Sequence, residues 1–129
     1  MSVLTMAPTL GDLLKFECNP SYCREVVTLK AGTNYPLGAV LGRITASGHY
    51  RLAPAALVAG DDGAENAAAV LIETVDASAG DAVGVVLARG PALLSQIALK
   101  YDASVDLPAE RAAKIIQLAA LGLVARATA

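Results

Sequence analysis

Over the first 22 residues apolar positions alternate irregularly with Thr5, Pro8, Gly11, Cys18, Asn19 and Pro20, and no helical or strand period is sustained. That pattern predicts an extended arm over residues 1–22, ahead of a single domain over 23–129. From Arg24 the chain changes character. Arg24 to Leu29 is rich in β-branched residues and stops at Ala31-Gly32-Thr33-Asn34, which is strand followed by turn chemistry. Val40 to Ala46 repeats the pattern, and across the Ser47-Gly48 turn His49 to Leu52 completes a hairpin. Ala59 to Asn66 has loop composition. Ala67 to Val75 and Val83 to Arg89 read as further strands, whereas Ala92 to Leu99 is too short an apolar run for its period to decide between strand and helix.

One helix stands out near the C-terminus. Pro108 suits the first helical position, where its missing N–H would lack an intrahelical partner anyway, and Glu110 places a negative charge in the first turn. Ala112, Ile115, Ile116 and Ala119 recur at helical spacing, which predicts that this stripe faces a sheet, and Gly122 is the stop signal. Leu123 to Arg126 then reads as a closing strand. The predicted class is mixed α+β, mainly β.

Composition adds a constraint. Of 129 residues only 17% are charged, against about 25% in ordinary soluble chains, while 55% are hydrophobic and the mean hydropathy is +0.52. No apolar run approaches the ~18 residues of a membrane span. A chain of this kind has too few polar groups to cover its own apolar surface, so a homo-oligomer is expected. The net charge is −2 with Lys and Arg scattered singly, which argues against nucleic acid, because neutralising phosphates requires a concentrated basic face. The opening Met1-Ser2-Val3-Leu4-Thr5 lacks a basic segment followed by an apolar one, so synthesis in a cytoplasm is expected.

The inventory for catalysis is thin. His49 is the only imidazole and has no recognisable partner motif, so it reads as a turn or strand residue. Cys18 and Cys23 are half a zinc site at best, and reduced, unreactive thiols are expected, with a local disulfide as the other reading. Asp61, Asp62 and Glu65 lack the alternating ligands of a calcium loop and read as a solvated loop. The glycines form no phosphate-binding motif. No catalytic residue, metal or cofactor is predicted.

Several blocks in order resemble one family. Leu10 to Glu17, Ser21 to Thr28, Leu37 to Thr45, Gly84 to Ala92 and Leu118 to Arg126 are together similar to the bacteriophage head decoration proteins, the group typified by the lambda decoration protein D. The resemblance implies a β-clip-like bent ribbon forming a partial barrel with a small helical part. It also implies a homotrimer seated at local three-fold sites on the outside of an expanded head, with the major capsid protein as partner, stabilising the shell against packaged DNA. The arm reading supplies a mechanism: Val3, Leu4, Leu10, Leu13 and Leu14 fill pockets of the coat protein while the backbone adds a strand to a coat sheet. Two alternatives come from other classes, a small oligomeric β-barrel enzyme or ligand-binding domain with a pocket near His49, Tyr50 and Arg51, and a virion tail or fibre adaptor.

Overall fold

The computed structural model describes residues 10–17 and 20–126. The chain begins with a helical turn, α1 (Leu10–Leu13), followed by β1 (Leu14–Glu17), a second turn, α2 (Pro20–Cys23), and β2 (Arg24–Leu29). After β3 (Asn34–Tyr35) come the hairpin strands β4 (Val40–Arg43) and β5 (Tyr50–Leu52), then β6 (Ala67–Leu71), β7 (Val75–Asp76), β8 (Ala82–Leu87) and β9 (Ala92–Ser95). A 3-10 turn at Gln96–Ala98, the helix α3 (Pro108–Ala119) and β10 (Leu123–Arg126) complete it.

Five strands close into a barrel in the order β2-β5-β4-β6-β8. Closure depends on a short parallel pairing, Leu29 against Tyr50, reinforced by the Lys30 N–H donating to the Tyr50 carbonyl at 2.8 Å. The mainly β class with one C-terminal helix read from the sequence is what the structure shows, and the expected barrel closes on itself. Beside it, β1, β9 and β10 form a three-stranded sheet with β9 in the middle, antiparallel to β1 and parallel to β10.

Two cores follow from strand alternation. Leu41, Leu71 and Val86 fill the barrel together with Leu29 and Tyr35. Their immediate neighbours Val40, Val70 and Leu87 point the opposite way, into a second core shared with Leu13, Cys23, Leu94, Leu118 and Leu123. Successive side chains in a strand face opposite sides, so the stretches Val40–Leu41, Val70–Leu71 and Val86–Leu87 are buried on both faces. That is why consecutive positions there are apolar.

The three-stranded sheet is fastened where β9 and β10 begin. The Gly90 N–H donates to the Leu121 carbonyl at 2.8 Å and the Ala92 N–H to that of Gly122 at 3.1 Å. A Cβ on Gly90 would lie 1.9 Å from the Gly122 oxygen, and Gly122 itself has φ +84°, so both positions require glycine.

Two expectations need correcting. The arm predicted over 1–22 does not extend that far as free chain: from Leu10 on, the described residues are packed onto the domain. Leu13 is fully buried, Leu10 and Leu14 lie against the same core, and β1 is a paired strand. The predicted sheet-facing stripe of α3 is rotated. Lys114 and Leu118 are the buried residues and Ile115 packs on the core, whereas Ile116 is 70% exposed and Ala112 and Ala119 are exposed too. Lys114, Ile115 and Leu118, at i, i+1 and i+4, also fall on one helical face, and a lysine stem can lie along apolar surface while its amine finds an acceptor.

Candidate functional site

Four features of the described residues could carry function: a polar network at one end of the barrel, two clefts beside it, a groove near α3, and a set of exposed apolar faces.

The polar network is built around Asp61, which is 5% exposed. Its carboxylate accepts from Lys30 Nζ at 2.9 and 3.0 Å and from Arg51 Nη1 at 2.7 Å. The Lys30 ammonium, followed by the Arg51 guanidinium, holds the Asp61 carboxyl below the usual carboxylate value. Arg51 reaches on to Asp102 at 3.4 Å, and Asp102 in turn accepts from the Ser104 hydroxyl at 2.6 Å. The Tyr35 hydroxyl donates to the Lys30 carbonyl at 2.7 Å, and burial pushes its pKa up. Each charge in this chain faces an opposite one, so the cluster clamps β2, β5 and two loops together. Asp61 is therefore not the solvated loop residue expected from composition. A loop of Asp and Gly gives no local sign of the cations that meet it from 10 and 31 residues away. Asp62 is exposed as expected, and Glu65 accepts from the Gly63 N–H at 3.0 Å.

His49, Tyr50 and Arg51 do not converge on one pocket. The His49 Nδ1 lies 3.6 Å from Asp81 Oδ2 in a cleft of about 380 Å³ that it lines with Lys30, Ile44 and Asp61. Arg51 lines a separate cleft of about 160 Å³ with Tyr35 and Leu52, and Tyr50 packs on the barrel core, where burial raises its pKa. A third, open groove of about 610 Å³ runs past Ile97, Leu99, Tyr101 and Arg111, whose guanidinium sits 5.3 Å from the Tyr101 ring centroid. Among the described residues no group of three or more His, Cys, Asp or Glu is placed to hold a metal. Cys23 is buried with a free thiol, and Cys18 lies outside the described residues.

The apolar faces are more distinctive. On the barrel wall, Val26 pairs with Val85 and Thr28 with Val83; Val26 is 69% and Val83 63% exposed. On α3, Ile116 projects among the exposed alanines 109, 112, 113, 119 and 120. On the three-stranded sheet Phe16 is 56% exposed and Val124 38%. Sequence periodicity finds the barrel strands β2 and β8, the strand β10 and this helix, though not β1, and assigns their apolar residues to a core; only the excess of apolar over charged composition signalled that some had to remain outside.

Of the arm residues singled out from the sequence, Leu13 belongs to the core and Leu10 and Leu14 are partly buried against it, while Val3 and Leu4 lie outside the described residues.

A family model described as bacteriophage lambda head decoration protein D matches residues 3–123. No curated protein matches the chain.

Proposed function

The chain belongs to the bacteriophage lambda head decoration protein D family, and on that premise we propose that it binds the outside of an expanded phage head as a homotrimer at local three-fold sites. There it stabilises the shell against the pressure of packaged DNA, with the major capsid protein as partner and no catalytic step. The family match over residues 3–123 carries this reading. The exposed valines of the barrel wall and the exposed Ile116 support self-association, since large apolar side chains left in water on a small domain mark contact surfaces.

Residues 2–9, with Val3 and Leu4, are the proposed capsid-gripping arm. Residues 10–17 go with the domain in this reading, because Leu13 cannot leave the core to contact a partner without opening it and β1 is paired with β9. Ordering a free segment costs about 1–2 kcal/mol of backbone entropy per residue, so one arm alone binds weakly. Three arms on a trimer share one docking event and gain avidity.

The test is deletion of residues 2–9. The shortened chain is expected to keep its fold and oligomeric mass but to lose occupancy on expanded heads in sedimentation and imaging. Decoration equal to that of the full chain would remove the arm from the mechanism. His49→Ala separates this reading from a ligand-binding or enzymatic one, since decoration should be unaffected by the loss of the imidazole.

A further inference from the structure

Strand β1 contains an irregularity that re-aims one side chain. Leu14 stands opposite Leu94, but Phe16 stands opposite Leu93, so the register shifts by one at Lys15. In a regular strand Leu14 and Phe16 would share a face. With Lys15 inserted, Leu14 stays on the core side with Leu94, and Phe16 turns outward with Leu93. A β-bulge of this kind bends the strand and redirects a side chain, and such bulges occur where function requires it.

The outcome is a continuous apolar row. Across the sheet Phe16 pairs with Leu93, and Leu93 pairs with Val124 on the far strand. The row therefore crosses β1, β9 and β10, about 10 Å at ordinary strand spacing. Phe16, the only Phe in the chain, is 56% exposed, and Arg126, two residues beyond Val124 on the same face, adds a cation at one end.

We propose that the row Phe16, Leu93 and Val124 is the surface on which the domain itself seats against the coat protein, docking on an apolar ledge of a capsid subunit. This rests on the decoration reading and deepens it. The position of the arm argues for the coat rather than a second copy. Residues 1–9 join the described domain at Leu10, four residues before β1 begins. Nine residues span at most about 30 Å, so whatever the arm grips lies within that distance of Leu10. Phe16 follows Leu10 by only six residues, at most about 22 Å, which puts the Phe16 end of the row inside the same radius. A coat surface held by the arm is thus brought to the row, and burying it converts a tethered contact into a rigid seat.

The experiment uses full-length Phe16→Ser, Phe16→Leu and Val124→Ser with expanded heads of the parent phage that lack this protein. Occupancy is titrated, and solution mass and thermal midpoint are recorded for each variant. Phe16→Ser and Val124→Ser should each raise the half-saturating concentration about tenfold or more, with mass and midpoint unchanged. Phe16→Leu should stay near wild type. Serine variants that decorate normally would overturn the proposal, and so would a fall in solution mass that accounts for the lost occupancy, because the row would then join copies of this chain. If the unaltered protein fails to occupy the heads, the decoration reading itself falls; if it binds and the serine variants bind equally, only the seat does.

Discussion

Lys114 donates a hydrogen bond from its ammonium to the main-chain carbonyl of Glu65, tying the middle of α3 to the loop that leads into β6. One turn further along the helix, Gln117 accepts from the Ala67 N–H at 2.7 Å. These two contacts fix the rotation of the helix. They bury a lysine and leave Ile116 outside.

Burial lowers the Lys114 pKa from its ordinary 10.5, because desolvation penalises the charged form more than Glu65, Glu110 and Asp102 favour it. In the interval between the lowered value and 10.5 the unfolded chain binds more protons than the folded one, so this group's contribution to stability rises with pH there. Below that interval its destabilising cost is present in full. Urea unfolding from pH 7 to 10.5 should show the stability of wild type gaining on that of Lys114→Met as pH climbs. A constant difference between the two would contradict the account. At neutral pH Lys114→Ala should cost about 1–3 kcal/mol, the penalty for leaving the part-buried Glu65 carbonyl without its donor.

The Asp61 clamp makes the opposite prediction in acid. Its pKa is lowered from 3.8, so its stabilising contribution is complete above 3.8 and is lost as pH falls through the folded value. Asp61→Asn should destabilise the protein by about 1.5–3 kcal/mol at pH 7, the range for hydrogen bonds to charged groups. The gap between variant and wild type should close as the pH drops below 3.8. Unfolding midpoints that differ equally at pH 7 and in strong acid would show that the two cations do not depend on the carboxylate charge.

What was legible in the sequence and what was not divides along a physical line. The strands at Arg24–Leu29, Val40–Arg43 and Ala82–Leu87 and the helix at Pro108–Ala119 are set by local β-branching, turn residues and a proline at N1, all of which a short window contains. The facing of α3 was legible only at Ile115: the predicted stripe Ala112, Ile115, Ile116, Ala119 and the observed one Lys114, Ile115, Leu118 are both helical faces, and the choice between them is made by a carbonyl 49 residues away. The Phe16 row was hidden for a similar reason. A bulge is defined by its partner strand, and β9 lies more than 70 residues downstream of β1. The family could be read because several weak blocks kept their order, which no single window shows.

The division between arm and domain predicts that two truncations behave differently. Leu13 is fully buried in the core that joins Leu94, Leu118 and Leu123, whereas deletion of residues 2–9 removes none of these four leucines. Removing residues 2–14 should therefore destabilise the fold as well as abolish decoration, by at least the about 2–5 kcal/mol of a buried leucine replaced by alanine. Thermal unfolding of the two truncations and of Leu13→Ala checks this. If residues 2–14 can be deleted with no change in midpoint, α1 and Leu14 are not part of the stabilising core.

A closed three-fold ring joins two different faces of each copy, one on each side of every contact, because a heterologous interface closes only by rotation. The exposed barrel wall at Val26 and Val83 and the exposed helix face at Ile116 are two such faces on one chain. Val83→Glu and Ile116→Glu change only exposed positions, so each variant should unfold within about 0.5 kcal/mol of wild type. If these faces meet in the proposed trimer, each variant alone should run as a monomer in sedimentation equilibrium. Mixed together, the intact wall of one variant can still receive the intact helix of the other. That contact forms once and cannot repeat around a ring, so the mixture should yield heterodimers and no trimers. Trimers from either variant alone would place the subunit contact elsewhere on the molecule.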